Sequence, residues 1–383
     1  MSNQKVGHSI FFYTKSQDRR HPMQFLHIWY DIYRSCFLTE TRMTTHKSLR
    51  IGLIGCGRIA STYIHAVHAV THATIVALCD TDQARMDALV HTIDGSVRMY
   101  TDYQALLQDD TVDVIAICTP PASHRQIAID SMKAGKDVIV EKPLAMKFSD
   151  AKDMFDVATE YSRLLLPVMQ NRFNPPVRFL QTQRDVVGTL QYVNASCFWY
   201  RPQSYYDDGW HGKKDLEGGV LMNQGIHYVD MMCHVVESTP KHVFAFGGNY
   251  GHAMESEDVV SLQVKFHNDV IGSCQVNTIS YPENLEGSIT MCFEHATVKI
   301  GGKAMDEIVS WQGLGEDAYR AVSFPDTADT VYGYGHIGVI QNMYDVMFHH
   351  APAYITKDEV LSTLEIVEAS YASMESGESV RIS

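Results

Sequence analysis

The chain has 383 residues, 45% hydrophobic and 20% charged, with a formal net charge of −14. That length suffices for two domains with full-sized cores, and the acidic balance argues against nucleic acid or an anionic membrane as the main partner. No apolar run is long enough to span a bilayer, so a soluble, cytoplasmic protein is expected. The eight cysteines are scattered without C-x-x-C or other metal-ligand spacing, which fits reduced thiols and implies no metal.

Residues 1–47 stand apart. Met1 to Pro22 is polar and aperiodic, and Met23 to Leu38 is aromatic-rich but broken by His27, Asp31 and Arg34. The expectation is a disordered extension or an upstream start codon, with Met43 the working start. The alternative is an amphipathic contact face made by Phe25, Ile28, Trp29 and Tyr33.

From Ser48 strands and helices alternate, as a doubly wound parallel sheet requires. Ile51, Leu53 and Ile54 form a short buried strand, and Gly55-Cys56-Gly57-Arg58-Ile59-Ala60 supplies G-x-G-x-x-A at its turn into a helix. Gly55 permits the tight turn, Gly57 lets a pyrophosphate approach the backbone, and Ala60 allows the helix to lie close on the strand. A second strand, Thr74 to Cys79, ends at Asp80, placed to accept from both hydroxyls of an adenosine ribose; a helix-capping Asp is the alternative. Thr81, Asp82 and Gln83 bring no cation to a 2′-phosphate, which favours NAD over NADP.

Helices are expected at Asp82 to Ile93, Asp102 to Gln108, His124 to Ala134 and Ser149 to Tyr161. Strands are expected near Val97 to Tyr100, Val112 to Cys118, Asp137 to Val140 and Leu164 to Met169. The NAD-binding Rossmann domain thus covers 48–170. Residues 171–383 read as a substrate-binding and oligomerisation α+β domain. It begins with helices at about Pro176 to Val187 and Gly219 to Val236. Extended runs follow at Val243 to Gly247, Val259 to Phe266, Val270 to Ile279, Ser288 to Phe293 and Thr297 to Ile300, reading as a largely antiparallel open sheet. His336 to Phe348 and Lys357 to Met374 are closing helices that could pack back on the first domain.

Catalytic groups in such sheets lie beyond the carboxyl ends of the strands. Lys142, in Glu141-Lys142-Pro143, is there; on the tripeptide alone a solvated lysine beside a turn proline is the leading reading, and its position changes that weighing. A lysine beside a cationic nicotinamide has a lowered pKa and suits proton transfer or alkoxide stabilisation. Asn223 and His227 are four apart on one helix face, and the glycines at 218, 219 and 225 suggest close backbone approach by another group. For His227 alone a hydrogen-bonded core histidine is the leading reading, and His227, Asp230 and His234 at helical spacing are too few for zinc. Gln170-Asn171-Arg172 follows the last strand of the first domain and should line a cleft. Arg201, Tyr205, Tyr206 and Trp210, with Lys213 and Lys214, mix cations and aromatics before the glycine-rich helix, suiting an anionic ligand with flat or sugar rings or, equally, a solvated loop.

With these residues in hand, the chain resembles the glucose-fructose oxidoreductase, inositol dehydrogenase and MocA family from about Leu49 onward. The resemblance rests on Gly55-x-Gly57-x-x-Ala60, Asp80, Cys118-Thr119-Pro120-x-x-x-His124, Glu141-Lys142-Pro143, Gly218-Gly219 through His227, and Ser370-Tyr371-x-Ser373-x-x-x-Gly377-x-x-Val380. Within the family, the chain is similar to the branch that oxidises the 3-hydroxyl of UDP-N-acetyl-2-amino-2-deoxyglucuronate for surface polysaccharides. The segments similar to that branch are Gln170-Asn171-Arg172, Arg201-Pro202-Gln203-x-Tyr205-Tyr206-Asp207, Met222-Asn223-Gln224-x-x-His227, Tyr281-Pro282-x-Asn284-Leu285-Glu286-Gly287 and Val331-Tyr332-Gly333-x-Gly335-His336.

The resemblance implies an NAD-dependent sugar-nucleotide dehydrogenase with Lys142 and His227 catalytic, either of them the base. It assigns cofactor contacts to Gly55, Gly57, Arg58, Ile59, Ala60, Asp80, Cys118, Thr119, Pro120, His124, Glu141, Lys142 and Gln170. Substrate contacts fall to Asn171, Arg172, Arg201, Tyr205, Tyr206, Trp210, Asn223 and His227, in a homodimer or homotetramer. Departures are Glu217 for the first glycine of the family's triple run, Asn223 for the frequent Asp, and Glu294-His295-Ala296 for the usual E-K-G. The alternatives are a dehydrogenase of another sugar or cyclitol, a glycosidase using transient 3-oxidation, and a cofactor-binding regulator without turnover.

Overall fold

The structure, a computed structural model, describes residues 48–324 and 331–382. The expectations for the N-terminal extension lie outside the described residues. Among those described, no helix is long and apolar enough to cross a membrane.

The first lobe runs β1 (Leu49–Ile54), α1 (Ala60–Ala69), β2 (Ala73–Cys79), α2 (Gln83–Val90), β3 (Arg98–Tyr100), α3 (Tyr103–Leu107), β4 (Val114–Ile117), α4 (His124–Lys133), β5 (Asp137–Val140), α5 (Phe148–Glu160) and β6 (Leu165–Pro167). Its six strands are all parallel, in the order β3-β2-β1-β4-β5-β6. The chain order reverses between β1 and β4, which opens a crevice at their carboxyl ends. All four residues of β4 are buried, as the continuous apolar run anticipates for a strand covered on both faces. Asp82 and Asp102 accept from the second backbone N–H of α2 and α3, so each expected helix start is an N-cap outside the helix proper.

A 3-10 turn at Gln170–Phe173 leads into α6 (Pro175–Thr182) and α7 (Arg184–Val187), separated at Gln183 where a single helix was expected. Then come β7 (Leu190–Phe198), a π-helical turn at Leu221–Gly225 continuing as α8 (Ile226–Val236), β8 (Pro240–Gly248), β9 (Val259–Phe266), β10 (Ile271–Asn277), β11 (Glu286–Phe293), β12 (Ala296–Gly301), β13 (Glu307–Gly313), α9 (Glu316–Ala321), α10 (Gly335–His349), α11 (Lys357–Ser376) and β14 (Val380–Arg381). The second sheet has the order β13-β12-β11-β7-β10-β9-β8-β14. Only the β7–β10 pair within it is parallel, so it is largely antiparallel, as expected.

One face of this sheet carries α8 and α11. An added Cβ on Gly272 would meet Met232, and one on Gly247 would meet Met374, so both strands run close beneath the helices. Strand alternation turns exposed Phe246 and Ile271 to the other face. The closing helices reach back to the first lobe: His336 at the start of α10 packs edge-on to Tyr63 of α1, and Glu368 of α11 accepts from the Phe148 N–H at 2.6 Å.

Arg172, expected on the sugar, is buried to 1% exposure. Its guanidinium donates to both oxygens of Asp230, at 3.0 and 2.7 Å, and to Glu359 at 2.5 Å. It therefore ties the end of the first sheet to α8 and α11. Removing one partner of a buried pair strands the others, at a cost of about 3–5 kcal/mol. Arg172→Ala should lower unfolding stability by about that amount in a denaturant titration.

Candidate active site

A cavity of about 1100 Å³ opens at the carboxyl ends of β1, β2, β4 and β5 and runs under the second sheet. Pockets for small molecules and cofactors commonly measure about 300–1,000 Å³, so this cavity lies just beyond the large end of that range.

The inner end is the glycine turn. Gly55 has φ +98°, and a Cβ there would come within 2.6 Å of the Cys118 backbone. At Gly57 a Cβ would meet no protein atom within 4 Å, leaving an open cradle before α1, whose first N–H groups receive no side-chain cap. Asp80 lines the same end and accepts from the N–H of Cys56 at 2.8 Å and of Asp82 at 2.9 Å. A carboxylate has about four lone-pair directions, so two remain for a ribose diol. The sequence reading missed Arg85, one helical turn further on. It lines the cavity with its guanidinium 3.9 Å from Asp80 and 3.5 Å from Asp82, so this cation is matched by two carboxylates.

Lys142 sits at the centre, one residue past Glu141 at the end of β5, followed by a cis bond to Pro143. Its Nζ donates to the Asn223 side-chain oxygen at 2.7 Å and to the Asn223 carbonyl at 2.9 Å. Asn223 lies in the π turn, whose wider winding takes main-chain groups out of ordinary helical register. Burial lowers the Lys142 pKa, against the pull of Glu141 and Glu217. Glu141 is buried as well, yet the bond from His336 at 3.0 Å and the Lys142 charge hold its carboxyl below the ordinary value. Burial, with Lys142 adding to it, pushes His227 down to about 3, so its imidazole is neutral across the physiological range.

Glu217, which the sequence reading treated only as a departure from glycine, also lines the cavity. It accepts from the Gly212 N–H at 2.6 Å and from the Asn223 amide, and burial raises its pKa to about 7. Arg201 lies over the rings of Trp199 (4.9 Å) and Tyr205 (5.5 Å), with Asn284 fixing one of its nitrogens at 3.1 Å. Exposed Lys303, also missed, adds a cation to the same wall. Arg58 crosses from the glycine turn to the outer loop, 5.2 Å over Tyr205 and 3.6 Å from Asp208.

The cavity gathers Gly55, Gly57, Arg58, Ile59, Asp80, Cys118, Thr119, Pro120, Glu141, Lys142, Gln170, Asn171, Arg201, Tyr205, Trp210, Asn223 and His227 from both lobes. Four expected contacts are elsewhere. Ala60 is wholly buried under the helix. His124 is buried with its ring nitrogens 2.8 Å from the carbonyls of Thr119 and Pro143, bracing the two loops that carry Thr119 and Lys142. Tyr206 turns inward onto Thr278 at 2.8 Å, and Arg172 is the buried tie described above.

The glycines near His227 also have a protein explanation. A Cβ on Gly219 would overlap Glu257, and one on Gly225 would press on Leu221 and Val276. Asp230 and His234 are engaged by Arg172 and Gln181, away from His227.

Residues 49–168 match the oxidoreductase family with the NAD-binding Rossmann fold, and residues 182–299 match the GFO/IDH/MocA C-terminal domain. The chain belongs to the GFO/IDH/MocA family. It is similar to the WlbA dehydrogenase of Bordetella pertussis, whose crystal structure holds NADH and UDP-GlcNAcA, with 30% identity, a TM-score of 0.80 and coverage of 89% of this chain and 99% of that one. The WlbA dehydrogenase of Chromobacterium violaceum, solved with the same two ligands, gives 31% identity, a TM-score of 0.79 and coverage of 91% and 99%. Among curated relatives, D-glucoside 3-dehydrogenase of Escherichia coli is 29% identical over 58% of this chain and 68% of its own length. D-apiose dehydrogenase of Paraburkholderia graminis is 35% identical over 57% and 58%.

As a member of this family the chain is an NAD-binding oxidoreductase. The site fits the cofactor by its own features: the open cradle at Gly57, the Asp80 carboxylate, and three buried polar atoms without a protein partner on cavity-lining residues. Those atoms are Gln170 Oε1, His227 Nδ1 and His336 Nδ1. Filling the cradle without disturbing protein contacts should separate binding from folding. Gly57→Val is expected to weaken NAD binding at least tenfold by calorimetric titration while leaving the melting temperature within about 2 °C, whereas Gly55→Ala should lower that temperature.

Proposed function

We propose that the chain is an NAD-dependent dehydrogenase that oxidises the 3-hydroxyl of UDP-N-acetyl-2-amino-2-deoxyglucuronate, supplying a 3-keto sugar nucleotide to surface polysaccharide synthesis. The observation that carries this reading is that Lys142 and His227 line the same cavity as the glycine turn and the cations Arg201 and Lys303. The similarity to two WlbA dehydrogenases solved with UDP-GlcNAcA supports the choice of substrate.

When bound, NAD supplies the acceptor for the hydride that leaves the carbinol carbon. Lys142 takes the hydroxyl proton at Nζ, because burial brings an amine toward neutrality, whereas an imidazole with a pKa of about 3 is a poor final home for that proton. Neutral His227 orients the hydroxyl. Asn171 and Asn223 bind the sugar, with Tyr205 and Trp210 flanking it. Arg201 and Lys303 meet the carboxylate or diphosphate, which a neutral cyclitol would leave unpaired.

The open face of the second sheet, with exposed Phe246 and Ile271, would pair copies of the chain into a dimer or tetramer. All seven cysteines of the described residues are free, in keeping with a reducing cytoplasm.

NADH formation should be measured with the uronate beside UDP-N-acetylglucosamine and inositol, with and without 2-oxoglutarate. Turnover selective for the uronate is expected, falling about 10²–10⁴-fold in Lys142→Ala and by a smaller factor in His227→Asn. Silence with the uronate under single-turnover conditions, despite NAD binding, would overturn the substrate assignment.

A further inference from the structure

Glu217 is 3% exposed, lies on the cavity wall, and is connected to Lys142 by a single amide. The Asn223 side-chain oxygen accepts from Lys142 Nζ at 2.7 Å, and its nitrogen donates to Glu217 Oε1 and to the Tyr205 hydroxyl, the latter at 3.2 Å. Every hydrogen of that amide is used. Turning it over would set an NH2 against the amine and a carbonyl against the carboxylate, so its orientation is fixed by chemistry. The other Glu217 oxygen is held by the Gly212 N–H, which keeps the carboxylate in line. A buried amine, an amide and a buried carboxylate thus form one polarised chain across the two lobes.

We propose that Glu217 is a positioning residue for Lys142: acting through Asn223, its carboxylate holds the amine in place and sets the pH at which that amine becomes free to take the substrate's proton. The inference rests on the reading of Lys142 as the proton acceptor. In the step itself the substrate O–H bond breaks and an N–H bond forms at Lys142 Nζ; Glu217 exchanges no proton with the substrate.

The surroundings of each group are mixed. Beside Lys142, Glu141 reinforces the pull of Glu217, while Arg201 and any charge on His124, His211 or His227 opposes it; burial keeps Cys197 protonated. Beside Glu217, Asp208 disfavours ionisation, whereas Lys142 and Arg58 favour it. The phenols of Tyr205 and Tyr206 are pushed up by burial and stay neutral. His211, driven down to about 4 by burial, stands 3.8 Å from the carboxylate without charge at neutral pH. Burial raises the Glu217 carboxyl to about 7, and in its ionised form it favours the charged form of Lys142.

The sign follows directly. A carboxylate near an amine favours the ammonium, so removing it lowers the lysine pKa and moves the acid limb of kcat/KM for oxidation to lower pH. Glu217→Gln keeps the shape and the acceptor for Asn223 while removing the charge and the acceptor for the Gly212 N–H. The first readout needs no substrate: acylation of Lys142 by acetic anhydride across a pH series, followed by peptide mass spectrometry in the full-length chain, with Lys303 as internal reference. The midpoint for Lys142 should fall by about one pH unit in Glu217→Gln, return in Glu217→Asp, and leave Lys303 unchanged.

The second readout is the pH profile of uronate oxidation, whose acid limb should move by the same amount. An unmoved Lys142 midpoint, even alongside lost stability or lost turnover, would assign Glu217 a purely structural role and overturn the proposal. A shifted midpoint with no uronate turnover in any variant would retire the substrate assignment and leave the coupling standing. Should Glu217→Gln fail to fold, Glu217→Ser removes the same carboxylate and leaves the Asn223 acceptor for Lys142 in place, and a Lys142 midpoint that does not fall in that variant counts against the proposal.

Discussion

The buried guanidinium of Arg172 is the constraint on which the two-lobed arrangement depends. It lies two residues after Gln170 and one after Asn171, both of which line the cavity, and it is bonded to Asp230 on α8 and Glu359 on α11. Asp230 is three residues beyond His227 on the same helix. The charge that closes the core is therefore within one helical turn of the site's imidazole, and the geometry of the cavity inherits the rigidity of a fully paired ion cluster. Such clusters add little net stability over a well-packed apolar equivalent, but they penalise any arrangement that leaves one member unpaired. Here the alternatives excluded are those in which the two sheets rotate against each other across the cavity.

The second organising feature is how an acidic chain concentrates positive charge where an anionic ligand would lie. Arg58, Arg201, Lys142 and Lys303 all reach the cavity, and most of the carboxylates that also reach it are already occupied. Asp80 caps backbone N–H groups, Glu141 is bonded by His336, and Glu217 is bonded by Gly212 and Asn223. A net charge of −14 says nothing of this, because it sums over a surface that the ligand does not meet. Arg201 is further fixed by two aromatic faces and Asn284, so its charge is presented with little entropy left to lose.

Much of the first lobe was legible because strand, glycine turn and helix follow one another with diagnostic spacing, and each names its own backbone requirement. Gly55 at φ +98° and Asp80 at the end of β2 are examples. The errors came where neighbouring residues diverge. In the 3-10 turn at Gln170–Phe173 each residue rotates about 120° from the last, so Gln170 and Asn171 face the cavity while Arg172 turns back into the core. Tyr205 and Tyr206 part in the same way, their rings at 83° to each other. Arg85 and Lys303 reach the cavity only through tertiary placement. The glycines at 219 and 225 were read as room for a visitor, whereas Glu257 and Val276 already use that room.

The substitution of Asn for the frequent Asp at 223 then has a physical reading. A carboxylate directly on Lys142 would hold the amine as ammonium and repel any anionic ligand from the same pocket. An amide at that position keeps the hydrogen bond and removes the charge from contact with the ligand. Glu217 supplies a carboxylate one side chain further back, bonded to the Asn223 amide that in turn accepts from Lys142. The two departures from the family pattern, Glu217 and Asn223, are thus better understood as one change: negative charge kept within electrostatic reach of the amine but out of direct contact with it.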